Sequence, residues 1–108
     1  MTILTRQTLL ATGDTAASTG AWYPLDFRND PGGSVRTFTG KLTAGDTVYF
    51  EVTNEAPYVN GAAVSVSVIV TVSAYTDALF ASPIYGQWSA IRFRKTGTAG
   101  TCVVNGIV

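Results

Sequence analysis

The sequence predicts an all-β domain, an antiparallel β-sandwich of jelly-roll-like form with about seven to eight strands. Apolar and polar residues alternate at period two along much of the chain, while helical periodicity is nearly absent. Turn-forming clusters of Gly, Pro, Asn and Asp recur at the ~8–12-residue spacing of small sandwiches. The length of 108 residues fits a single domain at the usual allowance of about 100–200 residues each. Residues 1–19 then form an N-terminal strand or arm and a loop. Folding a chain of this size hides roughly 65% of its surface, enough for one modest core without metal or disulfide staples.

In chain order, Ile3–Leu10 is the first strand and Thr12-Gly-Asp-Thr-Ala-Ala-Ser-Thr-Gly20 a small-residue loop. Ala21–Phe27 is the second strand, ended by the Pro/Gly turn Asn29-Asp-Pro-Gly-Gly33. Val35–Leu42 is a weaker strand, with Phe38 and Leu42 sharing a face with Arg36, and Thr43-Ala-Gly-Asp46 is a tight turn. Thr47–Thr53 alternates cleanly: Val48, Phe50 and Val52 inward, Thr47, Tyr49, Glu51 and Thr53 outward. After the connection Ala56-Pro-Tyr-Val-Asn-Gly61, the segment from Ala63 sets Val64, Val66, Val68, Val70 and Val72 against Ser65, Ser67, Ile69, Thr71 and Ser73. Burying that valine row is worth on the order of 8–15 kcal/mol before entropy is charged. Tyr75–Ser82 offers at most one helical turn, without a convincing cap or period. Ser89–Lys95 puts Ile91 and Phe93 on one face and Arg92 and Arg94 on the other, with Lys95 extending the basic strip. Thr96-Gly-Thr-Ala-Gly100 reads as a hairpin into Thr101–Val108, which is apolar on both faces and so is expected to be covered on both sides.

One strand does not fit its domain. Residues 63–74 would span ~40 Å when extended, against a diameter of roughly 34 Å for a compact domain of this size. The strand must bend between sheets or project. An uncharged, proline-free segment of this kind is an aggregation hazard at a bare edge, so it is expected to be central or paired with another subunit. Ser65, Ser67, Ile69, Thr71 and Ser73 are the candidate contact residues, since Ile69 places a large apolar group on a hydroxyl-rich face.

Composition narrows function mainly by exclusion. Charged residues make up 13% of the chain, about half the ~25% of typical soluble domains. Seven basic and seven acidic residues balance, so nothing long-range attracts nucleic acid or anionic lipid. No histidine is present, which removes Ser-His and Cys-His nucleophile systems and imidazole metal ligands. The single Cys102 excludes intrachain disulfides and cysteine-cluster zinc sites, and with nothing to activate it reads as a small buried apolar residue. The interrupted N-terminus predicts no secretory signal, and the run 62–74 is too short and hydroxylated for a membrane helix. No cofactor, membrane or nucleic-acid partner is expected, and the product is expected to stay in the cytoplasm or assemble there.

The carboxylates Asp14, Asp26, Asp30, Asp46, Glu51, Glu55 and Asp77 contain the raw material for acid–base chemistry. Most sit in or beside turns, where such residues serve local backbone bonding. Asp26-Phe-Arg-Asn-Asp30 has oxygens for a cation but lacks the spaced carboxylates and distal Glu of an EF-hand loop; the alternative for Asp26 is an ion pair with Arg28 or a strand arginine. Trp22, Tyr58, Tyr85 and Trp88, with Tyr23, lie near loops or strand ends. They suit glycan stacking, but core or interface anchoring is the preferred reading, with Trp22 and Trp88 capping the two ends of the core. Arg92 and Arg94 suit a protein contact or cross-strand pairing with Glu51.

The stretch Gly20-Ala-Trp-Tyr-Pro-Leu-Asp-Phe27, a loop and strand, then Leu42-Thr-Ala-Gly-Asp-Thr-Val-Tyr-Phe-Glu-Val-Thr53 resembles small virion proteins of tailed bacteriophages. The ending is similar too: a strand with Trp88-Ser-Ala-Ile-Arg92, a Gly-rich connection and a final Val-rich strand. The resemblance spans residues 20–108 in pattern and points to the head decoration (cement) and head-fibre proteins. It implies a β-sandwich, often trimeric, that clamps neighbouring capsid subunits without catalysis and resides in the virion after assembly in the host cytoplasm. The implied partners are further copies of the chain and the major capsid protein or another virion protein. Interfaces are depleted in Lys and Glu, and this chain has two of each. The alternative is a carbohydrate- or receptor-binding sandwich module of a virion or tail, using Trp22, Tyr58, Tyr85 or Trp88. A small hydrolase ranks far behind, and the chain is expected not to be an enzyme.

Overall fold

A computed structural model describes residues 6–13, 15–25, 36–85 and 88–107. The strands are β1 (Arg6–Thr12), β2 (Ser18–Thr19), β3 (Tyr23–Pro24), β4 (Arg36–Leu42), β5 (Thr47–Thr53), β6 (Tyr58–Val59), β7 (Ala62–Ala63), β8 (Val70–Tyr75), β9 (Leu79–Ile84), β10 (Ala90–Thr96) and β11 (Cys102–Ile107). No helix occurs among the described residues. The pairing is nested and antiparallel: β1 with β11, β2 and β3 with β10, β4 with β9, β5 with β8. The chain is therefore one long ribbon doubled back on itself, with its apex between Thr53 and Val70. Winding the ribbon adds the pairs β11–β4 and β10–β5. Two sheets result, β1-β11-β4-β9 and β2/β3-β10-β5-β8, which is the jelly-roll arrangement.

The expected β5 pattern is realised, because Val48, Phe50 and Val52 all face the core and are buried. The centre is an aromatic cluster drawn from both sheets. Phe38 of β4 lies 5.0 Å from Phe50 and 4.8 Å from Phe93, and Phe50 and Phe93 stack at 5.1 Å. Tyr75 stacks on Phe80 at 4.6 Å and closes the side where β8 meets β9. Gly40 leaves the room Phe80 needs: a Cβ there would fall on the Phe80 ring.

Several expectations are corrected. The twelve-residue strand does not exist. Its first part is the short β7, residues 64–69 leave the ladder, and pairing resumes at Val70. Glu55 captures that stretch by accepting the backbone N–H groups of Ser67 at 3.1 Å and Val68 at 2.5 Å. Thr53 Oγ1 donates to the Val68 carbonyl at 2.8 Å, and Val64 N–H donates to the Pro57 carbonyl. These bonds replace the sheet partners the alternating pattern implied. The remainder, β8, is an edge strand rather than a central one. Its register slips between Phe50 and Glu51, leaving Val72 as an extra residue, and a bulge of this kind exchanges the faces on either side of it. Val64, Val68, Val70 and Val72 are exposed and Val66 is half-buried; Val70 stands opposite the buried Val52 but at the sheet's edge, with no strand beyond it among the described residues.

Tyr75–Ser82 is no helical turn. It carries the end of β8 and the start of β9, an edge strand whose outer side pairs with no strand among the described residues, where Pro83 is tolerated. Residues 96–100 do not close a hairpin either. They cross from one sheet to the other, with Gly97 at φ +90° and Asp46 accepting the N–H groups of Ala99 at 3.0 Å and Gly100 at 2.8 Å. β11 is flanked by β1 and β4, but Val103 on its outer face is only half-buried, so this strand is not covered on both sides. The connection 56–61 contains its own small hairpin, β6–β7, turned by Asn60 and Gly61 at φ 52° and 80°. The expected strand at residues 3–5, the strand end at 26–27 and the turn at 29–33 lie outside the described residues.

Candidate functional site

Edge strands β8 and β9 end their respective sheets on the same side of the sandwich, joined by a short turn and the Tyr75–Phe80 stack. Phe80 points inward, so alternation turns Leu79 outward, where it is 72% exposed. On β8 and the apex segment before it, Val70 is 44%, Val72 49%, Ile69 39% and Val68 64% exposed. The nearest charges that could protect this edge are not on it: β8 carries none. An open, uncharged β-edge with an apolar rim is what monomeric sandwiches normally avoid.

The hydroxyl-bearing candidates around this edge do not form one face. Ser65 and Ser67 are exposed in the apex segment beside Ile69. Thr71 stands outward opposite Glu51, while Ser73 is half-buried opposite Phe50 on the inward side. The bulge at Val72 is the reason.

The outer face of the β2/β3-β10-β5-β8 sheet holds the second group. Glu51 is almost buried, and its carboxylate accepts Arg92 Nε at 2.8 Å and Arg94 Nε at 3.3 Å. Arg92 lies over the Trp22 ring and Arg94 over the Tyr49 ring, each at 4.5 Å from the centroid. Such contacts contribute about 0.5–1 kcal/mol at exposed sites and fix the guanidinium planes. The expected pairing of these arginines with Glu51 is present. Lys95, however, does not belong to the strip: it pairs in register with Val48 and faces the interior.

There Lys95 is fully buried, its Nζ within 3.1–3.2 Å of the carbonyls of Thr15, Ala16 and Gly97 and ion-paired with Asp46 Oδ2 at 3.0 Å. The N–H group of Ala99 holds Asp46 below the ordinary carboxylate range, aided by Gly100 and Lys95 and opposed by desolvation. A general acid needs a carboxyl that holds its proton, the opposite of Asp46 here, and the pair clamps residues 15–16, 46 and 97–100 together at one end of the core. Cys102 is likewise inert, since burial pushes its thiol up and Thr12 is its polar neighbour.

Of the other carboxylates, Glu55 is committed to the apex backbone and Asp77 is exposed in the β8–β9 turn. Asp14, Asp26 and Asp30 lie outside the described residues, and with them the candidate cation loop 26–30. Among the described residues no three His, Cys, Asp or Glu side chains gather as metal ligands would.

The four candidate aromatic anchors separate by environment. Trp22 lies beside Arg92 on the outer face and does not cap the core; its carbonyl accepts the Tyr58 hydroxyl at 2.9 Å. Trp88 does pack against the core, and its indole N–H donates to the Tyr85 carbonyl at 2.9 Å. Tyr85 alone of the four stands well out, at 72% exposure. Sequence reasoning missed Leu79, because β9 was not foreseen, and missed the part of Tyr49 in seating Arg94. The cross-strand register of β5 and β10 brings that pair together, and no local pattern announces it. Compared with known protein families, curated proteins and solved structures, the chain matches none.

Proposed function

We propose that this protein is a non-catalytic structural component that acts by contact: a virion protein of the bacteriophage head decoration or head-fibre kind. It joins further copies of itself, as a trimer, and seats on the major capsid protein or another virion protein. The observation that carries this reading is the open apolar edge of β8 and β9, with Val68, Val70, Val72 and Leu79 all exposed. Covering such an edge with another chain supplies the missing ladder bonds and removes the apolar rim from water. The fold class alone does not choose, because jelly rolls serve in capsids and in lectins. What favours assembly over glycan binding is that Trp22, Tyr58 and Trp88 have internal partners, whereas the outer sides of β8 and β9 pair with no strand among the described residues.

Sedimentation velocity at tens of micromolar tests the first half. The intact chain is expected to sediment above monomer mass, and Val70→Lys with Val72→Lys to return it to monomer while changing stability by only about 0.5 kcal/mol. A wild-type chain that stays monomeric overturns the proposal. Electron microscopy of the parent particle tests the second half, with density for this fold expected on the capsid surface.

A further inference from the structure

We infer that the outer face of the β2/β3-β10-β5-β8 sheet is a docking surface for a carboxylate-bearing segment of a partner protein, received by Arg92 and Arg94. This inference does not rest on the β8–β9 edge.

The two guanidiniums are held in advance of any partner. Each is stacked on an aromatic ring at 4.5 Å, and each gives its Nε–H to the same carboxylate, Glu51. Glu51 has a side chain only 6% exposed, so the anchor is fixed in the sheet while Arg92 and Arg94 keep 19% and 33% of their side chains in solvent. The Nη groups of both arginines have no hydrogen-bond partner among the described residues. A guanidinium fork offers those donors in the geometry a carboxylate accepts.

The charge count agrees. Two arginines against one glutamate leave a surplus of one positive charge, and the register neighbours on this face add none: Thr19 beside Arg94, Ala74 beside Tyr49 and Thr71 beside Glu51. One surplus charge suits a carboxylate or two from a protein segment. A polyphosphate backbone is held by many such charges, and the balanced chain does not supply them. The face also joins Trp, Tyr and Arg, the residue types that dominate binding energy at protein interfaces. Holding them rigid lowers the entropy lost on docking.

The test is an NMR titration of the full-length, nitrogen-15-labelled chain at low salt. The probes are a capped hexapeptide alternating Asp and Glu, the same peptide with Asn and Gln, and a short oligothymidylate. The acidic peptide is expected to shift the Arg92 and Arg94 Nε–H and Trp22 indole resonances saturably, roughly fivefold or more tighter than the neutral peptide. Arg94→Gln is expected to weaken it by a similar factor. Arg94→Lys keeps the charge but loses the fork and the ring stack, so it is also expected to weaken binding, and it stands in where Arg94→Gln does not fold. Absence of a saturable shift, equal response to the neutral peptide, or shifts centred on Lys41 overturns the inference. Tighter binding of oligothymidylate overturns it in favour of a phosphate-backbone partner. Because the readout lies on β5 and β10, failure here leaves the edge contact standing, and failure of self-association leaves this face standing.

Discussion

Replacing Gly40 by alanine probes the register that exposes the proposed contact edge. Gly40 sits in the middle of β4 opposite Phe80, in ordinary strand backbone rather than at positive φ. A Cβ at this position would meet the Cζ, Cε2 and Cε1 atoms of the Phe80 ring. The ring has little freedom to retreat, because it stacks on Tyr75 at an interplanar angle of 9° and Tyr75 in turn abuts Phe38 at 5.8 Å. Overpacking of this kind costs about 1–3 kcal/mol, and a disturbed aromatic pair a further ~0.5–1.5 kcal/mol. The stiffer unfolded chain returns roughly 0.4–1 kcal/mol. The net loss is therefore about 0.5–4 kcal/mol with a middle value of ~2 kcal/mol, which lowers Tm by roughly 8–16 °C for a domain of this size. Urea unfolding of Gly40→Ala, Phe80→Leu and the double variant gives the coupling directly. The smaller side chain is expected to relieve the clash, so the double variant should lose at least ~1 kcal/mol less than the two single losses combined. A neutral Gly40→Ala, or strict additivity, would refute the placement of Phe80 over Gly40 and with it the outward position of Leu79.

Two further outcomes follow from the same geometry. Asp46 has a folded pKa lowered chiefly by the Ala99 N–H, so its contribution is complete above the unfolded value of about 3.9 and is lost as pH falls through the folded one. The Asp46 carboxyl carbon should titrate below 3.9 by NMR, and Asp46→Asn should flatten the acid side of the stability curve; an ordinary midpoint would remove the clamp from the account. Glu55→Gln takes away one of two charged acceptors holding residues 67 and 68. Faster amide exchange at Ser67 and Val68 with a stability loss of about 1 kcal/mol is expected, and unchanged protection there would show that something else shapes the apex.

Much of the fold was legible in the sequence, and the failures share one cause. β5 and β10 alternate cleanly because one face of each packs on the core. Their inward apolar residues Val48, Phe50, Val52, Ile91 and Phe93 are the buried ones the pattern names, although Glu51 and Thr53 are buried on the other face too. At residues 62–74 the alternation is stronger still, yet Val64, Val68, Val70 and Val72 are exposed. Period two reports an extended backbone, not the presence of a sheet on either side of it. β9 was illegible because Phe80 and Ile84 are separated by small residues and Pro83, and its strand identity comes from β4. Arg92 and Arg94 could be placed on one face by counting, and Glu51 named as their partner, since cross-strand pairs need only a register. That Lys95 leaves this strip also follows from alternation. Its burial does not, because the carbonyls that receive it come from Thr15, Ala16 and Gly97.

The residue order alone determined an all-β chain low in charge, with no imidazole and one thiol, and those properties are local or compositional. Which strands are edges, where the ribbon doubles back and which apolar row meets water were decided in three dimensions. A strand's neighbours lie tens of residues away, and a single side chain such as Glu55 can take the N–H groups that a ladder would otherwise use. β8 and β9 carry no charged residue, and among the described residues they end their sheets without a further partner strand.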